Sequence, residues 1–239
     1  MIAEYQKLIA HRAPWIATGV LLVGMLAAPV VLTFYTPDDP TVYGNVNPAI
    51  FSLLGPLVAA IFGSWILGTE FRQGTVKRLL ATDPRRGRVL ARKAVAGGGI
   101  LATILATTGL VGYGASWIVA EMNDAAFAFD GRMMLAGGLF GMGAAAAGFG
   151  LSAVTKSDAF AAIGTVGMVM VLDPLLSLVP KVGDYTFGAT LGQITDRIAG
   201  TVSEFSATNL STTTAAVVAS LWIIGFVGAG SALFARRDV

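Results

Sequence analysis

Residues 68–93, GTEFRQGTVKRLLATDPRRGRVLARK, decide how this chain must be read. They hold eight of its sixteen Lys and Arg residues (Arg72, Lys77, Arg78, Arg85, Arg86, Arg88, Arg92 and Lys93) between two long apolar runs. A cationic stretch between two membrane spans fixes orientation, because cytoplasmic loops retain Lys and Arg. It also offers a charged surface to something in the cytoplasm. Phe71, Thr75 and Leu79 recur at helical spacing, with Val76 and Leu80 beside them, while Arg72, Lys77 and Arg78 project elsewhere. Pro84 stops the pattern. The spacing predicts a short amphipathic helix from Glu70 to about Thr82, parallel to the membrane. The plainer reading is a positive loop that sets topology and touches anionic lipid.

The composition around this stretch is that of a membrane protein. The chain is 55% hydrophobic and 13% charged, with a mean hydropathy of +0.73, whereas soluble domains carry about 25% charged residues. Its thirty glycines would let helices approach closely. With no cysteine, disulfides, thiolate metal sites and a Cys nucleophile are excluded.

Outward from the basic segment, uncharged or nearly uncharged runs predict six spans, at residues 14–34, 49–67, 94–120, 133–154, 159–179 and 213–234. Before the first, Ile2, Tyr5 and Ile9 recur at helical spacing, and Met1–Arg12 reads as an amphipathic helix in the membrane interface. His11, the sole histidine, is read as an interfacial residue without metal or triad partners. The turn-rich Tyr35–Pro48 and the acidic Glu121–Arg132 read as outer loops. In the fourth span Gly137 and Gly141 form a G-x-x-x-G that implies close packing. Pro180–Thr212 is the longest outer segment. Leu191, Ile194, Ile198, Val202 and Phe205 predict an amphipathic helix within it, either a lid over an exit path or plain packing. Asp173 is the one acid placed inside a span. It is read either as the cap of a helix that Pro174 begins, hence a helix break or gating point, or as a coupling site for protons or substrate.

Charge arithmetic sets the topology. With the amino terminus inside, the inner segments hold Lys7, Arg12, the eight central residues, Lys156, Arg236 and Arg237, which is 13 of 16. The outer segments hold Arg132, Lys181 and Arg197. That asymmetry puts both termini in the cytoplasm. The expected fold is therefore all-α, a single membrane domain of six transmembrane helices over residues 1–239. An N-terminal interfacial helix, a cytoplasmic helix after span two and an extracellular amphipathic helix complete it.

Catalytic signatures are missing. The sequence has no G-x-x-x-x-G-K-[ST], no H-E-x-x-H, no G-x-S-x-G and no Cys–His metal spacing. No row of charges resembles a voltage sensor and no dense set of acids resembles a proton pump. The chain is thus not expected to be an enzyme by itself, nor to bind a metal or cofactor. Its energy would come from a partner.

The basic segment resembles the cytoplasmic segment after the second span of ABC-2 type transporter permeases. That family shows an acidic residue, an aromatic, a basic residue, a Gly-Thr pair, a Leu-Leu pair, a Pro, a basic residue and a Lys entering span three. Here the matching residues are Glu70, Phe71, Arg72, Gly74, Thr75, Leu79, Leu80, Pro84, Arg88 and Lys93. Asp83 and Arg85 depart from the small polar residues often seen around that Pro. The resemblance implies two permease subunits, a homo- or heterodimer, around a path through the bacterial inner membrane. Two copies of a separate ABC ATPase would carry the ATP and Mg and dock on the inner face. Glu70, Phe71, Arg72, Gly74, Thr75, Leu79, Leu80 and Pro84 would couple that ATPase to the spans. It implies export, and the greasy spans suit a hydrophobic or amphipathic cargo such as a drug, antibiotic, lipid or peptide. Membrane lipid is an expected partner and nucleic acid is not. Two other readings remain: a membrane anchor that moves nothing, and a proton-coupled transporter using Asp173.

Overall fold

The computed structural model describes residues 2–34, 41–76, 81, 85–125, 127–200 and 210–236. Among these the chain is helical, with no strand. Helix α1 is Ile2–Ile9, α2 Arg12–Leu32, α3 Thr41–Arg72, α4 Arg86–Met122 and α5 Gly131–Thr155. Next come α6 (Asp158–Gly167), a π-helical turn (Met168–Leu172) and α7 (Asp173–Ser177), which together make one span. A 3-10 turn (Gly183–Tyr185), α8 (Phe187–Ala199) and α9 (Thr212–Arg236) follow. Six of these stretches are long and apolar enough to cross a membrane. The chain is a multi-pass membrane protein.

Helices α3 and α5 form the centre because glycine lets their backbones touch. A Cβ on Gly63 would lie 2.1 Å from the Ala145 carbonyl oxygen, and one on Gly148 would lie 2.5 Å from that of Ala60. Gly137 and Gly141 face the same partner, at Ser52 and Ala59, so the G-x-x-x-G is used within the chain. Around this pair α2 buries a single stripe, Pro14, Ala17, Leu21, Met25 and Pro29, at helical spacing. Its other faces expose Trp15, Ile16, Val20 and Val23, an apolar surface suited to lipid tails. α8, amphipathic as expected, seats Phe187 and Leu191 against Ala147 of α5 and Phe226 of α9.

Two expectations about boundaries are corrected. Tyr35–Pro48 is not a loop throughout, because α3 begins at Thr41. Tyr43 and Asn47 are buried there, and the Asn47 amide donates to the Gly112 carbonyl at 2.6 Å and meets the Ser116 hydroxyl at 3.0 Å. α4 extends alongside and gives the polar first turns of α3 a surface to pack on, which overrides their turn-rich composition. The amphipathic helix predicted between the last two spans is also shifted: it starts at Phe187 and stops at Gly200, whose φ is +72°, and Val202 and Phe205 lie outside the described residues. His11 sits edge-on to Trp65, with ring centroids 5.3 Å apart.

Candidate functional site: the end of the second span

α3 ends in a Schellman motif. The Thr75 amide donates to the Glu70 carbonyl at 3.0 Å and the Gly74 amide to that of Phe71 at 3.1 Å. Gly74 takes the left-handed φ of +64° that this stop requires. The helix expected to run unbroken from Glu70 to Thr82 is therefore cut. Glu70, Phe71 and Arg72 form the last turn of the span itself, and Gly74 and Thr75 form its stop. Leu79, Leu80 and Pro84 lie outside the described residues.

Consecutive residues on a helix point about 100° apart, and these three use that divergence to reach different elements. Glu70 is buried. Its Oε1 accepts from Lys7 Nζ of α1 at 2.6 Å and from Lys93 Nζ of α4 at 2.8 Å, while Oε2 accepts from the Thr75 hydroxyl. Lys93 is itself only 1% exposed. Taking two charges out of water is costly unless they pair with good hydrogen bonds, and Glu70 meets three donors. Arg72 Nη1 lies 2.9 Å from Asp158 Oδ2, an acid in the first turn of α6, where the helix dipole favours it. Gly68 makes room for that junction, since a Cβ there would lie 2.5 Å from the Asp158 Cα. Phe71 meets Phe234 of α9 edge-on, with ring centroids 6.0 Å apart. Arg86, opening α4, donates to the last carbonyls of α9, Phe234 at 2.9 Å and Ala235 at 3.2 Å.

One helical turn thus ties α3 to α1, α4, α6 and α9, and places the ends of α1 and α9 in one layer. Sequence reading singled out Glu70, Phe71 and Arg72 but missed Lys7, Asp158 and Phe234 as their partners, Lys93 as the buried counter-charge, and Arg86 as the tie from α4 to α9. A lysine entering an apolar run was the one available signal.

At the other end of the fifth span, Asp173 is 7% exposed. It does not cap a helix of its own. Oδ2 accepts from the Gly188 amide at 2.5 Å, in the first turn of α8, whose N-cap is Thr186. Nor does Pro174 break the span. Its ring clashes with the carbonyl four residues back and it has no N–H to give, and the chain absorbs both by widening into the π turn directly before Asp173. Asp173 and Pro174 line a cavity of about 650 Å³ between α3, α5, α7 and α8.

No curated protein shows significant similarity to the chain. A family described as ABC-2 family transporter protein matches residues 25–239. Everything from the middle of α2 onward falls within that match, including the junction at Glu70–Arg72, and the chain belongs to the ABC-2 transporter family, as a membrane permease of an ABC transporter.

Proposed function

We propose that this permease exports a hydrophobic or amphipathic compound across the bacterial inner membrane, using ATP hydrolysed by a separate nucleotide-binding subunit. Two copies of that ATPase, with their ATP and Mg, dock at the end of the bundle that carries Lys7, Glu70 and Arg86. The chain pairs with a second permease subunit, alike or related, and is not itself an enzyme. Both termini lie in the cytoplasm, where 13 of the 16 basic residues would then stand.

The observation that carries this reading is the junction at the end of α3. Glu70, Phe71 and Arg72 are the last residues before the segment on which a docked ATPase would press. Each is joined to a different helix or pair of helices. A displacement entering there is delivered to α1, α4, α6 and α9 together, and packed interfaces switch between arrangements rather than deform smoothly. Glu70 serves as the fixed pivot, being buried and ion-paired, while Arg72 and Phe71 carry the motion to α6 and α9.

The test uses the full permease co-expressed with a candidate ATP-binding-cassette subunit from the same genome. The two co-purify, and the combined Phe71→Ala and Arg72→Ala variant retains the ATPase but uncouples it, so that substrate no longer changes the rate of ATP turnover. Unchanged coupling in that variant removes the transmission role. Failure to co-purify with any ATPase removes the exporter reading.

A further inference from the structure

We propose that the cavity between α3, α5, α7 and α8 binds a small cationic amphiphile, an apolar body carrying one quaternary or protonated amine, with Asp173 as its counter-charge. This rests on the export reading and names the cargo class.

Size and lining set the terms. At about 650 Å³ the cavity falls within the roughly 300–1,000 Å³ of sites for drug-sized ligands. Most of its wall is apolar, with Leu53, Ala136, Phe140, Val169 and Met170 among the contributors. Two carboxylates, Asp173 and Asp196, also line it, and among the described residues no Lys, Arg or His does. Anions are therefore repelled. A polyhydroxylated ligand would meet too few hydrogen-bonding groups to replace its water.

Asp173 gives the site its sign. Its donor, the Gly188 amide, is a neutral group, and no cation among the described residues pairs with it. An ionised carboxylate has about four acceptor positions, so one donor leaves acceptor capacity on a group that lines the cavity. The N-terminus of α8 offsets about half a charge. The rest is uncompensated at a depth where ionised groups are expensive without a partner. A bound cation completes it, and its apolar body covers the wall. The π turn supplies two of the wall residues, Val169 and Met170, next to the acid, and such turns recur at functional sites.

The experiment measures saturable binding of radiolabelled tetraphenylphosphonium to the full-length chain in phosphatidylcholine nanodiscs, with no ATPase present. Dodecyltrimethylammonium should displace the probe, and dodecanol, with the same tail and no charge, should not. Asp173→Asn keeps an oxygen for the Gly188 amide and should weaken binding about tenfold or more, as loss of a charge-assisted contact does. Ala189→Leu, which fills the cavity and leaves the acid in place, should weaken it comparably. The proposal is overturned by absence of saturable binding to the unmodified chain, or by dodecanol displacing as well as the amine. It is equally overturned if both variants bind within twofold of the parent. Should Asp173→Asn fail to fold, Ala189→Leu and the dodecanol competition still decide. Because no ATPase takes part, a negative result leaves the export reading standing, and failed coupling leaves a positive result standing.

Discussion

Lys93 loses nearly all contact with solvent, and the contact with Glu70 at 2.8 Å is what makes this tolerable. Removing one member of a buried pair leaves the other uncompensated, at a cost of about 3–5 kcal/mol. Lys93→Met should therefore lower the unfolding midpoint of the detergent-solubilised protein by many degrees. Lys7→Met should cost far less, since Lys7 is 43% exposed and Lys93 still holds Glu70. Combining Lys93→Met with Glu70→Gln should recover part of the loss, and a double-mutant cycle measures how much. Gly74 is a second exposed point in the design. Any side chain there adopts a left-handed conformation that disfavours a Cβ by about 1–2 kcal/mol. Gly74→Ala should be destabilising by that order in the same thermal assay, although no atom of the described residues crowds the site. The sequence alone exposed the acid, the aromatic and the base of this turn. It could not show their partners, which lie 63 residues away for Lys7 and 23 for Lys93, because distant pairing depends on how the helices pack and not on local pattern.

Helices carry the second set of differences. All six spans were legible because apolar runs of about 20 residues have few other uses. Their ends were less so. α3 has 32 residues and α4 has 37, about 48 and 55 Å at 1.5 Å per residue, against a hydrocarbon core of about 30 Å. Hydropathy marks only the part within lipid. The rest is polar helix stabilised by a neighbouring polar helix, and single-segment patterns do not record that. Proline likewise misleads when read alone: Pro174 signals an ending, whereas the span widens and continues. The α3–α5 contact yields a direct test. Gly63→Val would force atoms into the Ala145 carbonyl. Overpacking costs about 1–3 kcal/mol when side chains can yield, and here a backbone must move. The expected result is loss of monodisperse protein on size exclusion, with Gly19→Val, where a Cβ meets nothing, as the tolerated control.

For the molecule as a whole, the absence of cysteine makes sidedness simple to measure with single introduced thiols. Gln73→Cys, exposed beside the α3 stop, should react with an impermeant maleimide only when the cytoplasmic face is open. Val182→Cys, 49% exposed beyond α7, should react from outside in intact cells. Reversal of that pair would invert the docking face and with it the export reading. The last turn of α3 also constrains how such a chain can change over time. Adding or deleting one residue between Gly63 and Glu70 would swing all three junction side chains by about 100°. The carboxylate would leave its two ammoniums, the guanidinium its acid and the phenyl ring its mate in a single event. Point substitutions can wear this junction down gradually, but length variation there is an all-or-nothing fault, so viable insertions should collect in the loops at the opposite end.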